Sequence, residues 1–493
     1  MIELLVIADD FTGALDTGVQ FGKRGLKTLV VKSAYAGSGA LDESVRVLCV
    51  DAETRHLSRE DAYRAVRRLA AWAAGLGVTY IYKKTDSALR GNIGSELLAA
   101  MDGAGADRLM FVPAFPEYGR VTEGGVHYVG GVPVSLSSFA HDPFEPVNNS
   151  FVPDIIKTQA DVVTTVIRRG GRPDIHGQRG ICVFDAATDE DLVDICAVLK
   201  ETGSLSLTAG CAGFAAALAR ALAVGELPAA ADGALQTKTK ARIQDVSLPD
   251  GYLPGSFPPV CSLPGSFLPV CSLPGSFPPG CFLPGSFPSG GCVGKPGGRV
   301  LLVSGSLHEA TVGQMQYAKA KGFAGVSLTA EQKLEPDFHL SAECGQLARE
   351  IRAILGSGKP AYIEGAAGAE DAALCRRYAL ERGLSAEPMR IAENIGRITK
   401  RILETAEPAN LFVIGGDTLA GILGSLGNPV LMPVAELLPG VALSKIVGGR
   451  YGFDLITKAG GFGPPDTAVA VASMLNRKQV TGHGVRGLKR GDL

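Results

Sequence analysis

The sequence predicts an α/β protein made of two domains with largely parallel sheets. Three observations support this fold class. Short apolar runs alternate with helical stretches in both halves of the chain, 493 residues exceed what one hydrophobic core usually organises, and a segment of different composition separates the halves. We therefore divide the chain into a first domain at 1–227, a linker at 228–298 and a second domain at 299–493.

Buried strands are predicted for seven apolar runs of the first domain, because strands of a parallel sheet are covered on both faces and read as continuous apolar segments. These runs are Leu4–Ala8, Thr28–Lys32, Val45–Asp51, Tyr80–Lys84, Leu109–Pro113, Ile181–Phe184 and Ser206–Ala209. Between two of them, Ser58 to Ala74 predicts a helix, and Ser58 with Asp61 matches a capping box except that the acid is Asp. This alternation is typical of βα units.

The linker has a composition unlike the rest of the chain. Leu-Pro-Gly-Ser-Phe begins at Leu253, Leu263, Leu273 and Leu283, and a cysteine lies near the end of each unit. Frequent proline removes backbone donors and large apolar residues are few, so we expect a disordered or loosely extended segment. A metal or redox tract is the alternative, but the wide spacing of the thiols and the absence of histidine favour an expanded repeat.

After Gly298 the βα pattern resumes and predicts a second α/β domain. Its predicted strands are Arg299–Val303, Ala361–Ile363, Leu411–Ile414 and Phe453–Thr457. Its predicted helices are at about Glu309–Lys321, Cys344–Leu355, Ala369–Gly383, Glu393–Thr405 and Asp466–Arg477.

Charge and composition exclude several classes of partner. Lys and Arg number 48 against 50 Asp and Glu, which predicts no nucleic acid or anionic membrane as partner. The N-terminus lacks the basic region of a signal peptide, and glycines and prolines break the longest uncharged stretch, Leu419 to Ala435. Six of the ten cysteines are scattered through apolar or helical context without a Cys-x-x-Cys pair, which favours reduced thiols and a cytoplasmic location. A small molecule is the expected partner, and a homo-oligomer remains open.

Two groups of polar residues follow predicted strands of the first domain. Asp9 and Asp10 end the first strand, where ligands of open α/β sheets bind. The run from Lys83 to Asn92 follows Tyr80–Tyr82 and contains two lysines, an aspartate, a serine and an arginine. These types supply donors for a carboxylate and an acceptor for a hydroxyl, which suits an anionic, hydroxylated substrate. A solvated charged loop is the alternative.

A further segment, Phe111 to Arg120, follows another strand of the first domain and is too apolar for a free loop. Both a wall or lid near the site and a rigid, proline-shaped core turn fit this composition.

Three strands of the second domain end in turns rich in Gly and Ser. These turns contain Ser304 with Ser306, Gly415-Gly416-Asp417-Thr418, and Gly460-Gly461. Free backbone N–H groups at a helix N-terminus favour an anion, so together the turns could hold a polyphosphate.

Two familiar nucleotide motifs are excluded. The run from Gly290 to Pro296 has the wrong glycine spacing for a P-loop, and Asp466 stands where a dinucleotide fingerprint needs its third glycine. A P-loop NTPase and a standard dehydrogenase are therefore disfavoured.

Several motifs of the chain occur together in a known family. They are Ala8-Asp9-Asp10-Phe11-Thr12-Gly13-Ala14, Lys84-Thr85-Asp86-Ser87-Ala88-Leu89-Arg90-Gly91-Asn92, the Pro113–Arg120 segment, Ser304-Gly305-Ser306, Gly415-Gly416-Asp417-Thr418 and Lys458–Gly463. On these motifs the chain resembles the four-carbon acid sugar kinases, ATP-dependent enzymes that phosphorylate the terminal hydroxyl group of tetronic acids. The resemblance covers nearly the whole chain except the repeat.

The resemblance implies a phosphotransferase with an alcohol acceptor, a substrate domain followed by a nucleotide domain, and an active site in the interdomain cleft. It implies that the acid sugar is surrounded by Asp9, Asp10, Arg55, Lys84, Asp86, Ser87 and Arg90. It implies that ATP is bound by Ser304, Ser306, Gly415, Gly416, Asp417, Thr418, Gly460 and Gly461, with Mg²⁺ on the phosphates. Three positions depart from the family pattern, namely Ala88 in place of Thr, Asp417 in place of Glu and Ala459 in place of Ser.

On this basis we expect Arg55 and Arg90 to hold the carboxylate of D-threonate or D-erythronate. Asp86, or failing it Asp10, is expected to accept the hydroxyl proton, and Lys84 or Lys458 to offset phosphate charge. A 3-oxotetronate kinase is one alternative. A sensor that binds an acid sugar and a nucleotide without chemistry is another.

Overall fold

The computed structural model describes residues 2–33, 44–142, 145–174, 177–223, 299–384, 388–448 and 451–478. The predicted linker, and with it the decapeptide repeat, lies outside the described residues. The strands of the first domain are β1 (Leu4–Ala8), β2 (Thr28–Lys32), β3 (Val47–Asp51), β4 (Tyr80–Lys84), β5 (Arg108–Val112), β6 (Arg120–Glu123), β7 (Val126–Val129), β8 (Val132–Pro133), β9 (Val163–Ile167), β10 (Gly180–Phe184) and β11 (Leu207–Gly210). Its helices are α1 (Phe11–Gly22), α2 (Arg59–Gly75), α3 (Ile93–Ala104), α4 (Val152–Lys157), α5 (Asp189–Glu201) and α6 (Ala212–Ala223).

The second domain repeats the alternation of strands and helices. Its strands are β12 (Val300–Ser304), β13 (Ala324–Ser327), β14 (Ala361–Glu364), β15 (Asn410–Ile414), β16 (Val430–Leu438), β17 (Val441–Val447) and β18 (Asp454–Lys458). Its helices are α7 (Glu309–Ala320), α8 (Ala330–Leu334), α9 (Ala342–Gly356), α10 (Ala369–Arg382), α11 (Pro388–Ala406), α12 (Gly416–Ser425) and α13 (Thr467–Lys478). Every strand predicted for this domain is present, within one or two residues at its ends.

One sheet of 15 strands runs through both domains, in the order β13-β14-β12-β15-β18-β17-β16-β2-β3-β1-β4-β11-β5-β10-β9. Its pairs are parallel except where β16 and β17 take part. The predicted α/β fold with largely parallel sheets is confirmed, and the structure adds that the sheets of the two domains join, because β16 pairs with β2 through Leu431 and Val30. The β16–β17 hairpin was missed because Pro433 interrupts the strand pattern, and the pairing register shifts just after it.

Helix α1 packs closely on this hairpin. Gly22, at the end of α1, lies so near β16 that a Cβ there would come within 2.4 Å of the Pro433 carbonyl oxygen. Lys23, the residue after α1, forms an ion pair of 2.5 Å with Glu436 on β16. The end of α1 is therefore packed against the second domain.

Both faces of the central strands are covered by helices. Strands β1, β2, β3 and β4 are buried along their whole length, as their apolar runs predict. The six described cysteines are buried and form no disulfide. Among the described residues, no helix combines the length and the apolar character needed to cross a bilayer.

Candidate active site

The predicted acid-sugar residues meet at the carboxyl ends of three neighbouring strands. Asp9 and Asp10 follow β1, Arg55 follows β3, and Asp86 follows β4. Because β3, β1 and β4 are adjacent and parallel, these side chains share one edge of the sheet. Lys84, Ser87 and Arg90 belong to the same segment as Asp86, so the structure brings all seven predicted residues together.

Arg55 is the centre of this cluster. Its Nε and Nη2 atoms donate to Asp9 Oδ2 at 2.8 and 2.7 Å, and its Nη1 atom donates to Asp10 Oδ2 at 2.7 Å. Nη2 also lies 3.6 Å from Asp86 Oδ1. Burial alone would raise the pKa of Asp9, but the charges on Arg55 and Lys84 outweigh it and hold that pKa below its ordinary value. The cluster is therefore a set of carboxylates that share one buried cation.

Asp10 has a second role as the N-cap of α1. Its backbone is extended, with φ −145° and ψ 162°, and its Oδ1 atom accepts a hydrogen bond from Gly13 N at 2.8 Å. A side chain at Gly13 would place a Cβ within 2.7 Å of Lys84 Nζ. Glycine at this position therefore lets the Lys84 ammonium group lie against the first turn of α1.

Asp86 is tightly bound by Arg90. Its Oδ1 accepts from Arg90 Nη2 at 2.9 Å, and its Oδ2 accepts from Arg90 Nε at 3.0 Å and from Ala88 N at 3.0 Å. Arg90 also donates through Nη1 to Asp142 Oδ2 at 3.0 Å. Although Asp86 is buried, the charges on Arg90 and Arg55 hold its pKa well below the ordinary range.

Two buried groups fix the loop that follows β4. Lys83 is fully buried and pairs with Glu96 of α3 at 2.6 Å. His127 on β7 contacts the Ser87 carbonyl oxygen through Nε2 at 3.0 Å and Thr122 Oγ1 through Nδ1 at 3.0 Å. Burial lowers the pKa of His127 to about 4, so it acts as a neutral hydrogen-bonding group beneath Ser87.

The predicted nucleotide-binding residues form a second group, at the carboxyl ends of β12, β15 and β18. Ser304 is buried at the end of β12, and His308 caps α7 by accepting from Ala310 N at 3.2 Å. Ser306 reaches the third turn, because a Cβ at Gly460 would lie 2.2 Å from Ser306 Oγ. Gly415 to Thr418 open α12. The three turns thus lie side by side.

Lys458 shapes the third turn from within. Its Nζ atom donates to the carbonyl oxygens of Ala459 at 2.6 Å, Gly460 at 3.4 Å and Phe462 at 2.7 Å. Burial lowers the pKa of Lys458 to about 7, and the Asp16 charge opposes that change. Gln314 of α7 donates to Phe462 O at 2.9 Å. These carbonyl groups point toward Lys458 and Gln314. The N–H groups of the same turn donate to no acceptor among the described residues, so they are available to a ligand.

The two groups face each other. A Cβ at Gly416, the first residue of α12, would lie 3.1 Å from Thr12 Oγ1 and 3.9 Å from Asp10 Oδ2. A cavity of about 970 Å³ opens beside them between the domains, lined by Lys32 and Glu53 on one side and by residues of α11 and α12 on the other. None of the predicted site residues lines this cavity.

Sequence reasoning missed two charged residues near this junction. Asp16 is the single charged residue of α1, and burial raises its pKa to about 7 despite the nearby charge of Lys84. Its Oδ1 atom is buried without a hydrogen-bond partner among the described residues. A lone carboxylate within an apolar helix was the signal that could have found it. The other residue, Arg120, was part of a recognised motif but received no role.

Comparisons with known proteins agree with this arrangement. A model of the sugar-binding N-terminal domain matches residues 4–218, and a model of the nucleotide-binding C-terminal domain matches residues 301–468. The chain is 29% identical over 483 residues to D-threonate kinase of Salmonella typhimurium, which covers 94% of this chain and 96% of that protein. It is 35% identical over 206 residues to D-erythronate kinase of Heliobacterium modesticaldum, which covers 39% of this chain and 47% of that protein.

Solved structures show the same fold. A protein described as a putative tRNA synthase of Salmonella typhimurium superposes with a TM-score of 0.69 at 20% identity, covering 96% of this chain and all of that chain. At 20% sequence identity, this similarity supports the fold and not a shared function. The two domain models together span both halves of the site, and the kinase from Salmonella aligns along nearly the whole chain. With the sugar-binding and nucleotide-binding halves both present and in this order, the chain belongs to the four-carbon acid sugar kinase family.

Proposed function

We propose that this protein transfers the terminal phosphoryl group of ATP to the terminal hydroxyl group of a four-carbon sugar acid such as D-threonate or D-erythronate. The observation that carries the proposal is the close approach of Asp10 and Thr12 to the start of α12. A carboxylate cluster that suits a hydroxylated substrate thereby lies beside turns that suit a polyphosphate. The D-threonate kinase that aligns along the chain supports the same reaction class.

On the substrate side, we propose that the carboxylates act chiefly as fixed hydrogen-bond acceptors for the sugar hydroxyl groups. Arg55 and Arg90 pair with carboxylates of the protein, so their role toward the substrate carboxylate stays a prediction. Lys84 donates to Thr85 O at 2.8 Å and adds positive charge beside Asp10. Ser87 is held by His127 through its backbone, which leaves its hydroxyl group for the substrate.

For the proton acceptor, we favour Asp10 over Asp86. Both carboxylates accept hydrogen bonds on both oxygens, Asp86 from Arg90 and Asp10 from Gly13 N and Arg55. The Asp86 side chain is only 9% exposed, whereas that of Asp10 keeps 26% exposure and faces the start of α12. The substrate oxygen would form a bond to the terminal phosphorus as the bond from that phosphorus to ADP breaks. Its proton would pass to Asp10 late in this exchange.

The nucleotide side of the proposal uses the three turns. The N–H groups of Gly460 and Gly461, with those at the start of α12, would hold phosphate oxygens. Asp417 is exposed and has no ion-pair partner among the described residues, so its carboxylate fits a Mg²⁺ ion that is held mainly by the nucleotide. That ion would supply charge neutralisation on the phosphates.

Lys458→Met is expected to raise the KM for ATP by about tenfold or more, because the carbonyl groups that now point at Nζ would lose their donor and the turn would relax. The KM for the sugar acid should stay within about twofold. Steady-state kinetics with each substrate varied in turn measures both constants. Lys359→Met, a change of an exposed lysine outside the site, is the matched control. Equal KM values for ATP in both variants would contradict a role of Lys458 in the turn.

The proposed function is tested by measuring ADP release with ATP, Mg²⁺ and a panel of four-carbon acids. D- and L-threonate, D- and L-erythronate and 3-oxotetronate are compared at equal concentration, and the phosphorylated carbon is assigned by ³¹P–¹H NMR. Turnover with threonate or erythronate and a phosphate on C4 would support the proposal. Turnover of 3-oxotetronate alone would contradict the proposed substrate and identify a 3-oxotetronate kinase. Binding of acid and nucleotide without ADP release from any acid would favour a sensor.

A further inference from the structure

Arg120 stands where the two halves of the site meet. It is the first residue of β6, and it follows the short helical turn Pro116–Tyr118. Tyr118 packs edge-on against Phe462 in the third nucleotide turn, with ring centroids 5.0 Å apart. The segment therefore carries Arg120 from the first domain to the turn that Lys458 shapes.

Two aromatic rings, one from each side of the site, hold the Arg120 guanidinium group. Its Cζ atom lies 5.0 Å from the centroid of Phe462 and 6.0 Å from that of Phe139. Phe139 is also near Arg90, whose Cζ atom lies 5.3 Å from that centroid. Arg120 is thus fixed next to the Asp86–Arg90 pair by contacts that add no negative charge.

The hydrogen bonding of Arg120 is incomplete. Nη1 donates to the Tyr118 carbonyl oxygen, but Nε is shielded from solvent and has no acceptor, and Nη2 donates to no acceptor among the described residues. Nε and Nη2 form the edge of the guanidinium fork that binds carboxylate or phosphate in a bidentate manner. Arg55 and Arg90, by contrast, have carboxylate partners.

A half-buried cation that contacts no carboxylate is costly, and such a group in a cleft is a candidate for binding an anionic ligand. Burial lowers the pKa of Arg120, with the charge of Asp86 acting in the opposite direction. Arginine nevertheless stays protonated at neutral pH. The free edge of the fork is therefore a positively charged, partly desolvated surface between the sugar-acid residues and the phosphate turn.

We propose that Arg120 binds two anionic oxygens of a substrate through its Nε–Nη2 edge, and this inference rests on the proposed function. Two groups in that reaction offer such a pair of oxygens, the carboxylate of the sugar acid and the phosphoryl group in transfer. Each offers two anionic oxygens at the spacing that a guanidinium group binds in a bidentate manner. The phosphoryl group in transfer lies between the two halves of the site in the proposed reaction, and the carboxylate belongs to the acid bound on the first-domain side.

The test compares Arg120→Met and Arg120→Lys with Arg352→Met, a matched change of an exposed arginine on α9. We expect Arg120→Met to lower kcat/KM for the sugar acid by about 10²-fold or more. Arg120→Lys should restore part of this loss, because it returns the charge without the fork. Arg352→Met should stay within about twofold of wild type. Circular dichroism and thermal melting check that each variant is folded.

Two further measurements separate the two sources of the anion. If the carboxylate is the ligand, the Kd of the sugar acid measured by calorimetry rises in Arg120→Met and that of ADP does not. If the phosphoryl group is the ligand, kcat falls while both Kd values stay unchanged. Arg120→Met that matches Arg352→Met in kcat and in both Kd values would overturn the proposal.

The role of Arg120 can be tested even if the proposed kinase function is wrong. If the wild-type protein phosphorylates no acid of the panel, the calorimetric comparison is made with D-threonate and with inorganic phosphate. Loss of binding of either anion in Arg120→Met, with Arg120→Lys intermediate, would still support Arg120 as the anion-binding group. Equal binding in wild type and variant would overturn it.

Discussion

Replacement of Asp10 by asparagine is expected to lower kcat by about 10²- to 10⁴-fold, the usual contribution of a positioned general base. Asparagine caps a helix about as well as aspartate, so the bond to Gly13 N and the start of α1 should persist. Arg55 keeps Asp9 as a partner. The Kd of the sugar acid should therefore change little, and the loss should appear in kcat.

Asp86→Asn is the variant that distinguishes Asp10 from Asp86 as the proton acceptor. An amide at Asp86 would place an N–H group against the Arg90 fork, so we expect a looser Arg90, a weaker Kd for the sugar acid and a smaller loss of kcat at saturation than in Asp10→Asn. Single-turnover rates at saturating ATP, with calorimetry for the acid, measure both effects. A severe loss of kcat in Asp86→Asn at unchanged Kd, with Asp10→Asn still active, would instead identify Asp86 as the base.

Much of the fold could be predicted because a parallel sheet leaves a strong pattern in the sequence. The predicted bounds of β1, β2 and β4 agree with the structure to the residue, since each contains at least three consecutive apolar residues with polar residues at or directly after its end. The site followed from the same pattern. Once strands are parallel, the residues after their carboxyl ends must share one edge of the sheet, and Asp9, Arg55 and Asp86 do so.

What the sequence could not supply was pairing across the sheet. The edge strands are short, and Pro433 interrupts the apolar run of β16, the strand through which the two domains join into one sheet. The partners of individual charges were hidden for the same reason. The sequence does not distinguish the environments of the three arginines. In the structure Arg55 and Arg90 pair with carboxylates, whereas Arg120 lies between two aromatic rings.

The loss of Arg55 is expected to have the largest effect on stability. Arg55→Met should lower the free energy of unfolding of the first domain by about 3–5 kcal/mol near pH 7, because the buried carboxylates around it would lose their shared cation. Arg55→Lys should recover part of that loss. Trp72, the single tryptophan of the chain, lies on α2, so its fluorescence during urea unfolding reports on this domain. Arg68→Met, on the exposed side of α2, is the matched control and should change stability by no more than about 0.5 kcal/mol.

The effect of Arg55→Met on the free energy of unfolding is expected to depend on pH. In the wild type the pKa values of Asp9 and Asp86 are lowered, so both carboxylates contribute stability above their unfolded pKa that is lost as the pH falls through the folded values. Without Arg55, burial dominates at Asp9 and raises its pKa above the unfolded value, so the variant should gain stability as the pH falls from 7 toward 4. The difference between wild type and Arg55→Met should therefore narrow over this range. A difference that stays constant with pH would show that the lost contacts of Arg55, and not the unpaired carboxylates, destabilise the variant.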